Sequence, residues 1–224
     1  MVGVMRRGSG LRLRRLLLGC AAVVMPAFAL DVAAQGTPAP QSARLATYFD
    51  PLNVTWADGR WYVTGYAGVM AQNKFSSVVR LDADLQNDVL VGVGIGREFA
   101  AIGDALRFEW EANVAVHEDP FGTVGDFRFM LGARWTSFPW NAWLPTTFAV
   151  MTGPSYLTGK SAYEIRKGQT ERFTNGMAFE LTFAPPERED LRGVLRIHHR
   201  SPLFGEAGTA SPSDAVTLGL QYRF

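Results

Sequence analysis

Residues 106–117 read LRFEWEANVAVH, and their side chains alternate between apolar and polar. The apolar set is Leu106, Phe108, Trp110, Ala112, Val114 and Val116. The other set, which is mainly polar, is Arg107, Glu109, Glu111, Asn113, Ala115 and His117. A period of two places successive side chains on opposite faces of a β-strand. The segment therefore predicts a strand with one apolar face and one face that accepts charge.

The same alternation recurs along the chain. In 89–96, 127–136 and 177–183, one face carries Phe, Trp, Leu and Val, while Gly, Arg and Glu occur on the other. A soluble β-sandwich also alternates, with its apolar face in the interior and its polar face in water. Segments of about 10 residues with an aromatic-rich apolar face are instead typical of transmembrane barrels, which have an apolar exterior and a polar interior.

Eight strands are predicted from this pattern. They span 61–70, 88–98, 105–117, 125–136, 146–153, 174–184, 191–201 and 214–224. An even number of strands is typical of bacterial outer-membrane barrels. We therefore predict an all-β protein, an eight-stranded antiparallel transmembrane β-barrel located in the bacterial cell outer membrane.

The last predicted strand supports this class. Val216, Leu218, Leu220, Tyr222 and Phe224 alternate up to the C-terminal residue of the sequence. This ending resembles the terminal strand of bacterial outer-membrane proteins. The resemblance implies that the barrel-assembly machinery is a partner of the chain and carries no information about chemistry.

The N-terminal segment has the layout of a secretory signal peptide. Five arginines and no acidic residue occur within 1–15, and 16–30 is mostly apolar and ends near the small residues Ala27 and Ala29. The apolar run is shorter than the ~18–20 residues that cross a bilayer as a helix. We predict a signal peptide over 1–34, a linker over 35–55 and the barrel over 56–224. Cys20 would leave with the signal peptide.

Composition excludes several classes of protein. A 47% apolar content with 19% charged residues differs from that of a disordered chain. A net charge of +1 argues against nucleic acid as a partner. The interior of an eight-stranded barrel is filled by side chains, so a broad pore is not expected. Three His and a single Cys are too few for a site rich in the usual zinc ligands, and no metal or organic cofactor is predicted.

Glu109 and Glu111 lie two residues apart on the polar face of one strand. Paired carboxylates are used in acid–base catalysis, but charges in a narrow interior also require compensation. We interpret the two carboxylates as members of a structural ion-pair network. The predicted partners are Arg107, Arg128 and Arg134, and His117 is predicted to belong to the same polar filling.

The seventh and eighth predicted strands carry polar residues on their lipid-facing sides. Leu195 and Ile197 set the outward face of the seventh strand, and His199 and Ser201 share it. Asp214 shares the outward face of the last strand. Residues two apart on a strand are separated by ~6.6–6.8 Å and neighbouring strands by ~4.8 Å, so the three side chains are predicted to come within reach of one another.

These residues resemble the His-x-Ser motif and nearby acid of the lipid A 3-O-deacylase (PagL) family of eight-stranded outer-membrane barrels. The resemblance is confined to roughly residues 195–224. It implies that His199 is the base, Ser201 the nucleophile and Asp214 the acid that orients the base. It also implies a substrate, lipid A of outer-leaflet lipopolysaccharide. The chain has Pro202 where the family usually has Asn, and Asp where its acid is usually Glu.

Two functions are consistent with these residues. One is a carboxylic ester hydrolase that removes a fatty-acyl chain from lipid A. The alternative is a non-catalytic structural or interaction barrel that presents loops such as 71–87 and 154–173 to a partner. In that case His199, Ser201 and Asp214 form only the polar rim where strands leave the membrane.

Overall fold

The structure is a computed structural model, and it describes residues 11–12, 54–56, 59–71, 77–78, 80, 82–119, 122–160, 162–166, 171–201 and 213–224. The predicted signal peptide and linker lie outside these residues except for Leu11–Arg12 and Val54–Thr55. Both therefore stay predictions.

The described residues form ten strands and one short helix. In chain order these are β1 (Leu11–Arg12), β2 (Val54–Trp56), β3 (Trp61–Ala71), β4 (Asp84–Ile102), β5 (Leu106–Asp119), β6 (Gly122–Trp135), β7 (Thr146–Leu157), α1 (Ala162–Arg166), β8 (Phe173–Phe183), β9 (Leu191–Ser201) and β10 (Ser213–Arg223). From β3 to β10, each strand pairs antiparallel with the next, and β10 pairs with β3. The result is a closed eight-stranded barrel, as predicted.

The strand bounds agree with the prediction most closely at β9 and differ most at β4. β4 is longer than predicted, and the short strands β1 and β2 pair with its two ends. β7 continues through Pro154 to Leu157. Its ladder with β6 omits Gly153 and Pro154, whereas its ladder with β8 includes both. Proline has no N–H to donate, so the strand loses pairing on one side only.

The two faces of the barrel strands differ as the alternation predicts. Val93 and Leu131 point outward and are 51% and 52% exposed, whereas Glu109 and Glu111 point inward and are fully buried. An apolar exterior around a charged interior is the arrangement of a barrel that meets lipid. Within the described part of the chain, no helix is long and apolar enough to cross a bilayer.

Glycines on the inner face of β4 make room for two tyrosines of β3. A Cβ atom at Gly96 would lie 2.4 Å from the Tyr62 ring, and one at Gly92 would lie 2.6 Å from the Tyr66 ring. Both tyrosines are buried in the interior. The glycine-rich run therefore serves packing inside the barrel.

Buried ion pairs connect opposite sides of the interior. Arg134 donates to Glu109 at 2.7 and 2.9 Å and to Glu180 at 2.7 Å. Arg196 donates to Glu111 at 2.6 and 2.9 Å and also contacts Glu180. All five side chains are fully buried, and each charged group has an ion-pair partner within the barrel.

Two of the predicted partners have other roles. Arg128 donates to Asp126 at 3.0 Å, and Asp126 also contacts His117 at 3.0 Å. Arg107 donates to the carbonyl oxygen of Gly103 at 2.7 Å, in the turn before β5. Arg107 is the first charged residue of its strand, where it reaches the turn more readily than the interior. His117 belongs to the polar filling, as predicted.

Candidate active site on the outer face of the barrel

The candidate residues lie where β9 ends and β10 begins. In β9, Arg196, His198 and Arg200 are buried and point inward, while His199 and Ser201 are partly exposed on the opposite face. The predicted outward direction of these two side chains agrees with this alternation. At this end of the barrel the connections span 72–83, 120–121, 158–172 and 202–212, and those at the other end span 103–105, 136–145 and 184–190.

His199 and Asp214 are in contact across neighbouring strands. They lie opposite each other in the β9–β10 ladder, and His199 Nδ1 is 2.7 Å from Asp214 Oδ1. A carboxylate accepts the hydrogen bond, so Nδ1 carries the proton and the lone pair lies on Nε2. The imidazole is thereby held in the tautomer that can accept a proton through Nε2.

The carboxylate of this pair is buried, and a cluster of apolar residues lies beside it. We call the cluster formed by Ala71, Val78, Ala83 and Leu85 the apolar cover. It packs against Ile197 and Val216 on the outer faces of β9 and β10, and Ala71 lies opposite Asp214 in the β3–β10 ladder. The side chain of Asp214 is 1% exposed and that of His199 is 16% exposed. Exclusion of water strengthens the hydrogen bond between them.

Ser201 is the last residue of β9 and is partly exposed on the same face as His199. Among the described residues, the structure has no hydrogen bond between the Ser201 hydroxyl and His199. Their Cα atoms are ~6.6–6.8 Å apart because they are two residues apart on one strand. In apo structures catalytic hydrogen bonds often form only when the substrate binds, so this separation is compatible with a nucleophile and its base.

Glu164 supports the two strands from the inner side of the barrel. It lies on α1, is buried, and accepts hydrogen bonds from Arg200 of β9 and from Ser213 of β10, the latter at 2.8 Å. These two residues are the immediate neighbours of the candidate site residues in sequence. One carboxylate therefore joins the strand ends inside, as His199 and Asp214 join them outside.

Glu164, Thr152 and Asn175 are not among the residues predicted from the sequence. Glu164 lies in a loop without periodicity, so no sequence signal pointed to it. Thr152 and Asn175 carried a signal, because both are polar residues on the lipid-facing parity of predicted strands. The same lipid-facing parity is the signal that predicts His199 and Ser201 as site residues.

The fold is similar to that of solved outer-membrane barrels. The crystal structure of the outer membrane enzyme PagL aligns with a TM-score of 0.51 and 9% identity, covering 72% of this chain and 98% of that chain. The N-terminal β-barrel domain of Pseudomonas aeruginosa OprF gives a TM-score of 0.44 at 11% identity, covering 75% and 98% of the two chains. Neisserial surface protein A gives 0.45 at 8% identity, covering 74% and 97%.

No family model matches the sequence, and no curated protein matches it. The expectation that the likeness to PagL is confined to residues 195–224 is wrong, because the structural alignment extends over 72% of this chain. At 9% identity this likeness concerns the fold. The closed barrel and its apolar exterior define the chain as an eight-stranded β-barrel of the bacterial outer membrane.

Proposed function

We propose that the protein is an ester hydrolase that removes a fatty-acyl chain from lipid A. In this proposal Ser201 is the nucleophile, His199 is its base and Asp214 orients the base. The observation that carries the proposal is the 2.7 Å hydrogen bond between His199 and Asp214 on the lipid-facing side of the barrel. Polar residues on that side of a membrane strand require a reason. A His–Asp pair whose histidine lies two residues from a serine on the same strand is suited to acyl transfer.

The chemistry follows from these three groups. His199 Nε2 takes the proton of the Ser201 hydroxyl as its oxygen attacks the ester carbonyl carbon. The tetrahedral intermediate collapses with cleavage of the ester bond, and the protonated His199 returns the proton to the leaving sugar oxygen. A water molecule, deprotonated by His199, then attacks the acyl-serine. This second step releases the fatty acid and restores the Ser201 hydroxyl.

Lipid A fits the location and the surroundings of the site. If the end with the longer connections is extracellular, an outward-facing site at that end lies level with the outer leaflet, where lipopolysaccharide resides. The apolar cover and the outward faces of Ile197 and Val216 lie beside the His199–Asp214 pair. Acyl chains can pack on such a surface while the ester reaches the polar residues.

Mass spectrometry of lipid A tests the proposal. The parent protein, Ser201→Ala and the control Ser137→Ala are produced in a Gram-negative host whose lipid A carries ester-linked hydroxyacyl chains. Ser137 is exposed in the turn after β6, away from the site. We expect lipid A to lose one hydroxyacyl chain with the parent and the control, and to remain intact with Ser201→Ala.

Folding of each protein in the outer membrane is checked by its shifted migration on an unheated detergent gel. Intact lipid A from cells that contain folded parent protein would contradict the proposed hydrolase activity. It would favour the alternative, a non-catalytic structural or interaction barrel. Cleavage by folded Ser201→Ala would contradict the assignment of the nucleophile.

A further inference from the structure

Two polar residues interrupt the lipid-facing sides of β7 and β8. Thr152 lies outward on β7 between Val150 and Pro154, and Asn175 lies outward on β8 between Phe173 and Met177. With His199, Ser201 and Asp214 they form a polar band across four neighbouring strands. A polar side chain facing lipid loses its hydrogen bonds to water, so each of these residues requires a role.

Asn175 lies beside the proposed nucleophile. It is directly opposite Ser201 in the β8–β9 ladder, while Asp214 is opposite His199 in the β9–β10 ladder. The Cβ atoms of such cross-strand partners are about 4.5–5.5 Å apart. Ser201 is therefore flanked by the base on its own strand and by a carboxamide on the strand that lies away from Asp214.

The carboxamide of Asn175 is oriented by Thr152. The Thr152 hydroxyl donates a hydrogen bond of 3.1 Å to Asn175 Oδ1. The oxygen and nitrogen of a carboxamide point in different directions, so an oxygen held toward β7 turns the NH₂ group away from β7. An NH₂ group has two donors and no acceptor, which is what a developing negative oxygen requires.

Ester hydrolysis through a serine needs such a donor. Attack on the carbonyl carbon moves negative charge onto the carbonyl oxygen. Hydrogen-bond donors preorganised at that position lower the activation free energy of hydrolysis. Pro202, which follows Ser201, has no backbone N–H to supply one. Asn175 is half-buried beside lipid-facing residues, where a hydrogen bond to a charged oxygen is stronger than in water.

We propose that Asn175 Nδ2 is the oxyanion donor of the site and that Thr152 is the residue that positions it. The assignment rests on the proposed function and adds a catalytic residue on a third strand. A substrate carbonyl bound at Ser201 would direct its oxygen toward β8, while the serine proton leaves toward His199.

The test compares Asn175→Leu with the parent in detergent micelles, using purified full chain and lipid A as substrate. Leucine has nearly the shape of asparagine and suits a lipid-facing position, so the barrel is expected to fold. We expect kcat to fall by about 10²–10³, the effect of removing one oxyanion donor, with little change in KM. Leu181→Ala, on the same face of β8, is the control and is expected to keep the parental kcat.

Thr152 gives an independent readout. Thr152→Val removes the hydroxyl with little change of shape, and kcat is expected to fall by about tenfold or more. Thr152→Ser keeps the hydroxyl, so its kcat is expected to stay near the parental value. A role in packing alone would predict the reverse order, since valine matches threonine in shape better than serine does.

The possible failures are distinguishable. Folded parent protein that leaves lipid A intact would overturn the proposed function and this assignment with it. Hydrolysis that requires Ser201 but keeps the parental kcat in Asn175→Leu would overturn the assignment of Asn175 alone. A change confined to KM in that variant would also overturn it, because an oxyanion donor acts in the transition state.

Discussion

Glu164 and Arg200 form a buried ion pair that connects α1 to the strand carrying His199 and Ser201. Their side chains are 3% and 2% exposed, and Arg200 also donates to Ser155 at 3.0 Å. Arg200 is thus held from two sides within the mouth of the barrel. His199 and Ser201, which flank Arg200 in sequence, face lipid. The contact between Arg200 and Glu164 inside the barrel therefore restrains the candidate site outside it.

Glu164→Ala is expected to destabilise the barrel strongly. It leaves Arg200 with an uncompensated charge, and breaking a buried ion pair costs about 3–5 kcal/mol. The measurement is the urea concentration at which half of the protein loses its shifted migration on an unheated gel. Arg188→Ala, in an exposed pair with Asp190, is the control and should leave the midpoint unchanged. Equal midpoints for the two variants would contradict a supporting role for Glu164.

The directions of side chains could be predicted from the sequence because they depend on a local rule. Period-two alternation assigned Glu109 inward and His199 outward, and the structure agrees. Partners across the barrel could not be predicted in this way. Arg196 and Glu111 are 85 positions apart and meet only because the closed barrel places β5 opposite β9.

In the candidate site, too, side-chain directions could be predicted from the sequence and contacts between distant residues could not. Parity placed His199, Ser201 and Asp214 on one face, but the support from Glu164 comes from a loop helix with no periodic pattern. The opposition of Asn175 and Ser201 depends on the register of β8 and β9, which a shift of one residue would abolish. Register between strands is set by the whole ladder rather than by either segment.

Arg196→Met tests the interior network. This change leaves the carboxylates of Glu111 and Glu180 buried without their shared arginine, so we expect a loss of about 3–5 kcal/mol in the free energy of unfolding. Urea titration in lipid vesicles measures it. Adding Glu111→Gln should recover part of the loss because one unpaired charge is removed. Arg107→Met, whose parent side chain bonds a turn carbonyl, is the control. A loss no larger than that of the control would contradict the network.

Val93→Arg tests the contact between the exterior and lipid. Val93 is at the centre of β4 and is 51% exposed, so the charge would lie near the bilayer midplane. Arginine costs about 2–4 kcal/mol there and about 0–1 kcal/mol near the interface. Leu191→Arg, at the first residue of β9, is the interfacial control. The free energies of unfolding in vesicles are compared. Equal costs at the two positions would contradict the membrane-spanning arrangement.

Asp214→Asn tests how the acid orients the base. An asparagine that turns its oxygen toward His199 Nδ1 can still accept, but its NH₂ group can donate there instead. The proton then lies on Nε2, which can no longer take the proton of Ser201. In a Ser–His–Asp triad this change lowers kcat by about 10⁴ with the geometry preserved. We expect a fall of about 10³–10⁴ in kcat for lipid A hydrolysis, measured on purified protein in micelles. Asp190→Asn, in the turn before β9, is the control and should keep the parental rate. A rate within tenfold of the parent for Asp214→Asn, in a preparation where Ser201→Ala is inactive, would show that Asp214 does not set the tautomer of His199.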